Sequence, residues 1–465
     1  MTARFHILAF GCLLFALDSA RPSFAAQSVT LDDVIQVVNA GFPLIESTQK
    51  DVESARAEVR ASEGSFDIQW KTRVGYSLLG FYENERLDSI IEQPTTLWGT
   101  TFFGGYRLGT GKFPDYEGKQ VTNPGGEARL GLSIPFLRDG FIDRRRANIQ
   151  RSNLGVDIAS LQVVQQRLES IRTATHRYWD WVAAGKRLGI FRTLLKIAED
   201  RDRGLAERVK HGDLPDFERR DNQRAILQRR SQLVSAERSF QQASFELSLY
   251  YRNAENEPVI LPEERLPASI PEPNSSEVPK TEIKDALIKR PDLVRFTAIR
   301  SQNEVERTLA INQAGPKLDV QLQAVRSLRD GDVRRNGTQL EAGVLLEIPL
   351  QANVAGGRED SAVAVAGRLE LQERFLRDRI GAEIRDARSA LDTALLRIEV
   401  IRQELDLAKK MEQGERVRFN HGDSNLLFLN IREQATVDTA VRELEAIADY
   451  RKSLATLRAA LGELD

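Results

Sequence analysis

Leu130-Gly131-Leu132-Ser133-Ile134-Pro135-Phe136 and, much later, Ala342-Gly343-Val344-Leu345-Leu346-Glu347-Ile348-Pro349-Leu350 are the stretches whose reading decides the fold. In both, apolar residues take every second position: Leu130, Leu132, Ile134 and Phe136, then Ala342, Val344, Leu346 and Ile348. That period of two belongs to a strand with unlike faces. Each stretch then runs into a very long charged segment of helical character. Only Pro215 interrupts the chain between Leu137 and Glu257, and no proline follows Pro349. A short strand feeding a long helix therefore occurs twice.

Working outward, the repetition extends to whole halves. Amphipathic helical segments open each half near Leu31 to Gly64 and Thr281 to Gln313, with Pro43-Leu44 matching Pro291-Asp292-Leu293. Alternating segments follow: Phe66, Ile68, Trp70, Thr72, Val74 and Tyr76 in the first half, Leu318, Val320 and Leu322 in the second. The long helices are expected from Gly140 to His211 and from Ala355 to His421. At 1.5 Å per residue each is roughly 100 Å long. Their apolar stripes run through Leu161, Leu168, Ile171, Tyr178, Val182, Leu188, Phe191, Leu195 and Ala198, and through Leu369, Leu376, Ile380, Ile384, Leu391, Leu395, Ile398 and Leu405. Such helices are too charged to span a bilayer and too narrowly striped to stand alone, so they pack side by side as coiled coils. Each ends in a matching turn, His211-Gly212-Asp213 or His421-Gly422-Asp423, before a final helix. Six prolines between Pro258 and Pro279 mark a linker, giving a first repeat over 26–257, a linker over 258–280 and a second repeat over 281–465.

Residues 1–25 read as an export signal, with Arg4, an apolar run from Phe5 to Leu17 and the small-x-small site Ser23-Phe24-Ala25. The one cysteine, Cys12, lies inside it behind a poor lipobox, Ala9-Phe10-Gly11. The mature chain is thus expected to be free of thiols and disulfides. Removing Arg4, Arg21 and Asp18 leaves 64 basic and 67 acidic residues, a balance that excludes the basic face of a nucleic-acid binder. No Gly-x-Ser-x-Gly, His-Glu-x-x-His or phosphate-cradling loop occurs. The carboxylates follow helical spacing as solvated faces, so no catalytic, cofactor or metal residue is assigned.

Alternation alone fits a half-buried sheet in a soluble domain as well as a barrel with lipid outside and water inside. The helices favour the barrel, because the strands must sit at one end of a long rod. Roughly four strands per chain are expected, too few to close a barrel, so several chains must close one together. The region from Phe66 to Phe136 is about twice as long as its counterpart and holds a further alternating segment at Trp98, Thr100, Phe102, Gly104 and Tyr106. The excess is either an external loop or an extra hairpin, and the loop is the expectation.

With these features in order, the sequence resembles the outer-membrane efflux protein family typified by TolC. The likeness is carried by Ala286-Leu287-Ile288-Lys289-Arg290-Pro291-Asp292-Leu293, by the strand exits Ile134 to Gly140 and Ile348-Pro349-Leu350, and by the turns Arg208-Val209-Lys210-His211-Gly212 and Arg418-Phe419-Asn420-His421-Gly422. The resemblance implies a mainly α fold with a membrane β-barrel. It implies a homotrimer sharing a barrel of about twelve strands and a periplasmic α-helical tunnel. It further implies a passive exit duct partnered by outer-membrane lipid, a periplasmic adaptor and an inner-membrane transporter. The competing reading is a periplasmic coiled-coil scaffold or adaptor.

On the family pattern, Arg208, His211, Gly212, Asp213, Arg418, His421, Gly422 and Asp423 form the tunnel mouth and meet the adaptor. Structurally, each Gly suits a left-handed helix end, and each Asp suits the cap of the next helix. Family members often carry an acidic ring just beyond the second turn. Here those positions fall near Phe428 and Ile431, so Leu427 and Phe428 become an apolar candidate constriction. His211 and His421 could titrate near neutrality, but no neighbouring pattern supports a pH gate or metal site.

Overall fold

The computed structural model describes residues 28–463; the export signal and Cys12 lie outside them. The first half runs α1 (Leu31–Gly41), α2 (Pro43–Glu63), β1 (Gln69–Ser77), β2 (Asn84–Pro94), β3 (Thr101–Gly111), β4 (Glu127–Pro135), α3 (Arg144–Lys210) and α4 (Asp216–Ser248). The second runs α5 (Ile283–Lys289), α6 (Pro291–Ala314), β5 (Lys317–Ser327), β6 (Thr338–Glu347), α7 (Asn353–His421) and α8 (Leu426–Leu461). Each opening helical segment is broken in two where proline takes the first position of α2 or α6. Proline has no N–H to give at a helix start, so it begins a helix well and cannot continue one. Thr30 and Asp33 cap α1 reciprocally, the Thr30 hydroxyl accepting from the Asp33 amide at 3.2 Å and Asp33 accepting from the Thr30 amide at 2.8 Å.

Helices α3 and α7, of 67 and 69 residues, run the length of the molecule. Toward the sheet they are flanked by α2 and α6, and toward the far tip by α4 and α8. Together they make a helical wall. Its cores are the stripes between neighbours: Val34, Val38 and Ile45 against Tyr178, Trp181 and Val182 in the first half, Ile380, Ile384 and Leu391 against Tyr450 and Leu457 in the second. All the expected stripe residues are buried except Leu161 and Leu395, which are half-buried.

The proline-rich stretch is not a free tether. Leu261 is buried, Leu266 fills the space above Gly185, and Arg451 donates to the carbonyls of Pro271 and Glu272 at 2.9 and 2.8 Å. It straps the two helical hairpins together across the middle of the wall.

The sheet corrects the expectation of four strands. It has six, all antiparallel, in the order β1-β2-β3-β4-β5-β6, and is open in the single chain with β1 and β6 at its edges. The long first-half region is therefore an extra hairpin rather than an external loop. Strand β2, Asn84-Glu85-Arg86-Leu87-Asp88-Ser89-Ile90-Ile91-Glu92-Gln93-Pro94, escaped the reading because adjacent Ile90 and Ile91 break its alternation. Trp98 falls in the β2–β3 turn, where it packs on Phe141 at 4.6 Å beside the entry to α3.

Candidate functional site

At the tip, the two turns are built alike. Gly212 and Gly422 take φ +81° and +85°, the left-handed conformation that glycine adopts without penalty. The amides of Asp213 and Asp423 donate back to the carbonyls of Arg208 and Arg418, each at 2.9 Å. Those of Gly212 and Gly422 donate to Val209 and Phe419, each at 3.1 Å. This paired closure satisfies the last carbonyls of α3 and α7.

The expected helix-capping role of the two aspartates does not hold. Asn425 caps α8, accepting from the Phe428 amide at 3.1 Å, and α4 starts behind Pro215 with no side-chain cap. The chain needs two further residues to turn before each next helix, which leaves Asp213 and Asp423 two residues short of the capping position. Their side chains, with those of Arg208, His211, Arg418 and His421, are exposed at the tip. Leu427 and Phe428 are also exposed, Phe428 by 52 %, with Ile431 one turn on and Phe217 (76 % exposed) at the start of α4. Just past the turns, the first residues of α4 and α8 thus expose apolar side chains.

Behind it lies a buried charge cluster that the sequence reading missed. Glu433, only 2 % exposed, pairs with Arg201, with Arg229 at 2.8 Å and with Arg416 at 3.4 Å. Asn430 joins Arg201 at 2.9 Å, and Arg229 also donates to the Leu194 carbonyl at 3.2 Å. Burial pulls the Arg201 guanidinium below its usual value against the attraction of Glu433. The cluster ties α3, α4, α7 and α8 together close to the tip. Its signal was present: Glu433 lies on the buried stripe with Leu426, Leu429 and Thr436, and Arg229 on that of Asn222, Ala236 and Ala243. Reading every carboxylate as solvated hid it.

At the opposite end the register sorts the strands into two faces. One carries Trp70, Val74, Leu87, Ile91, Phe102, Leu108, Leu130, Leu132, Val320, Leu322, Val344 and Leu346. The other carries Lys71, Arg73, Arg86, Asp88, Arg107, Glu127, Arg129, Gln321, Gln323 and Glu341. Charges on this second face are paired: Arg129 with Asp88, Lys71 with Glu92, and Arg107 with Glu127 at 3.4 Å. No described helix is long and apolar enough to cross a membrane, a statement that concerns helices alone.

Comparison of the sequence with family descriptions and with curated proteins finds no match. Solved structures match over nearly the whole length. The Campylobacter jejuni CmeC outer membrane channel superposes with a TM-score of 0.68 at 15% identity, over 98% of this chain and 94% of its own. The Neisseria gonorrhoeae MtrE outer membrane channel gives 0.67 at 15%, over 100% and 98%. The Vibrio cholerae outer membrane protein VceC gives 0.67 at 14%, over 93% and 96%. Long helical hairpins below one antiparallel sheet, repeated twice in the chain, are the fold of the TolC-like outer-membrane efflux channels.

Proposed function

We propose that this chain is one protomer of a homotrimeric exit duct in the outer membrane. Its helical wall would reach through the periplasm to an adaptor and an inner-membrane transporter of a tripartite efflux or type I secretion system. The duct conducts passively and catalyses nothing. The observation that carries this reading is the sheet: apolar on one face, charged on the other, and open at both edges at the end of a rod about 100 Å long.

Lipid leaves no water for an unpaired strand edge, so β6 of one copy must pair with β1 of the next until the ring closes. Three copies of this sheet give eighteen strands rather than the twelve that the resemblance implied. The helical wall has matching edges. Leu396, Val400, Leu407 and Met411 form an exposed stripe on α7, and Leu227, Val234 and Phe245 form another on α4. Joined around a ring they enclose a tunnel. Residues 26–257 and 281–465 supply one hairpin each, and 258–280 straps them. Arg208, His211, Gly212, Asp213, Arg418, His421, Gly422 and Asp423 form the mouth that meets the adaptor, with Leu427 and Phe428 as its constriction.

Single-channel recording of the purified protein in planar bilayers tests this, with Phe428→Ala beside wild type. Discrete steps that grow in the variant support both duct and constriction. Steps of unchanged size move the constriction elsewhere. A protein that never inserts and is soluble without detergent is a periplasmic scaffold instead.

A further inference from the structure

The connection between β3 and β4, residues 112–126, makes contacts back onto the strands. Its middle forms a short helical turn, Asp115–Gln120, that folds back over the charged face. Arg86, which belongs to that face, pairs with Glu117 at 2.8 Å and lies over the Phe113 ring at 5.4 Å. Arg107, on the same face, reaches the Lys119 carbonyl at 3.4 Å. A Cβ at Gly109 would fall 1.9 Å from the Gln120 carbonyl oxygen, so this strand position has to be glycine for the loop to lie where it does.

The returning arm is fixed as well. Thr122 and Asn123 are buried; Thr122 exchanges hydrogen bonds with Gly109, and Asn123 donates to Asn336 at 2.8 Å and accepts from the Asp332 amide at 3.0 Å. Between loop and sheet remains a cavity of about 240 Å³ lined by Arg107, Lys119, Glu127, Arg129, Gln323 and Glu341. The turn itself exposes Asp115, Lys119 and Tyr116, the last by 87 %.

We propose that residues 112–126 form a fixed eyelet inside the outer end of the barrel, so that Tyr116, Asp115 and Lys119 of each protomer line a second, external constriction that sieves what leaves. The inference rests on the duct reading, which makes the charged face the lumen. It also bears on the width of that duct, since a barrel of sixteen to eighteen strands leaves an aqueous channel open. An inward loop narrows the wide barrel that the extra hairpin produces. The anchoring on β2, β3 and the β5–β6 loop makes the eyelet a permanent sieve rather than a flap.

Two variants test it by single-channel recording. Gly109→Val places side-chain atoms where the Gln120 carbonyl lies, displaces the loop, and should raise conductance roughly twofold, since current follows pore radius. Tyr116→Cys, with native Cys12 replaced by serine, should let a bulky charged thiol reagent added on the outer side cut the current by about half. The second variant leaves the loop in place, so it reads out even where the first fails to fold. If mass spectrometry shows Tyr116→Cys labelled while the current is unchanged, the loop lies away from the pore and the eyelet is wrong, though the duct stands. Absence of steps from the wild type overturns the duct and the eyelet together.

Discussion

Glu433 is the residue on which the tip depends. Three guanidinium groups converge on one carboxylate; Arg229 is buried with it, and the Arg201 side chain is only 12% exposed. Removing one partner of a buried pair leaves charge without compensation, at a cost of about 3–5 kcal/mol. Glu433→Gln is therefore expected to lower the melting temperature measured by circular dichroism. Arg416→Ala, whose side chain is 39% exposed, should change it little. His176 makes a different prediction. Its Nε2 lies 3.0 Å from the Lys452 carbonyl and 3.0 Å from the Thr456 hydroxyl, and burial holds its pKa below the usual 6.5. A base depressed in the folded state is neutral there while the unfolded chain takes up a proton. Stability is thus full above about pH 6.5 and declines as pH falls toward the folded value. Melting temperature followed from pH 8 to 5 should show that decline, and His176→Gln should flatten it. The sequence offered His176 no special pattern, because the partners that define it come from α8.

At the scale of elements, the turns were legible and their caps were not. Glycine followed by aspartate told where α3 and α7 end, but only the backbone geometry shows Asn425 rather than Asp423 opening α8. No atom stands within 4 Å of a Cβ added at Gly212 or Gly422, so alanine there meets no clash and costs only the left-handed conformation, about 1 kcal/mol. Gly422→Asn should cost less than Gly422→Ala in thermal unfolding, since asparagine tolerates that conformation best among side-chain residues. The strands divide in the same way. β1 and β4 announce themselves by clean alternation, and β5 and β6 by alternation that lapses only at Val325 and Leu345, while β2, short of apolar residues, hides behind Ile90 on the charged face. The charged face accommodates one isoleucine, and a period-two pattern does not. The edges of the helical wall carry their own prediction. Val400→Glu together with Leu407→Glu places charge on the exposed α7 stripe and is expected to shift the assembly toward monomer in light scattering, with the helix content of each chain retained.

For the whole molecule, the repeated order of helix, strands, long helix and helix could be read from proline spacing and doubled motifs. Sequence identities of 15% and 14% to channels of the same fold show how little of that order depends on particular side chains. What alternation could not supply was the strand number, because it depends on pairing between distant segments, and with it the size of the barrel proposed above. Electron cryomicroscopy of the detergent-purified protein measures that size most directly. The expected result is a three-fold particle in which β6 of each copy pairs with β1 of the next, closing one barrel of eighteen strands. A barrel closed by fewer strands, with β2 and β3 lying outside the wall, or a monomer with its sheet still open, would contradict it.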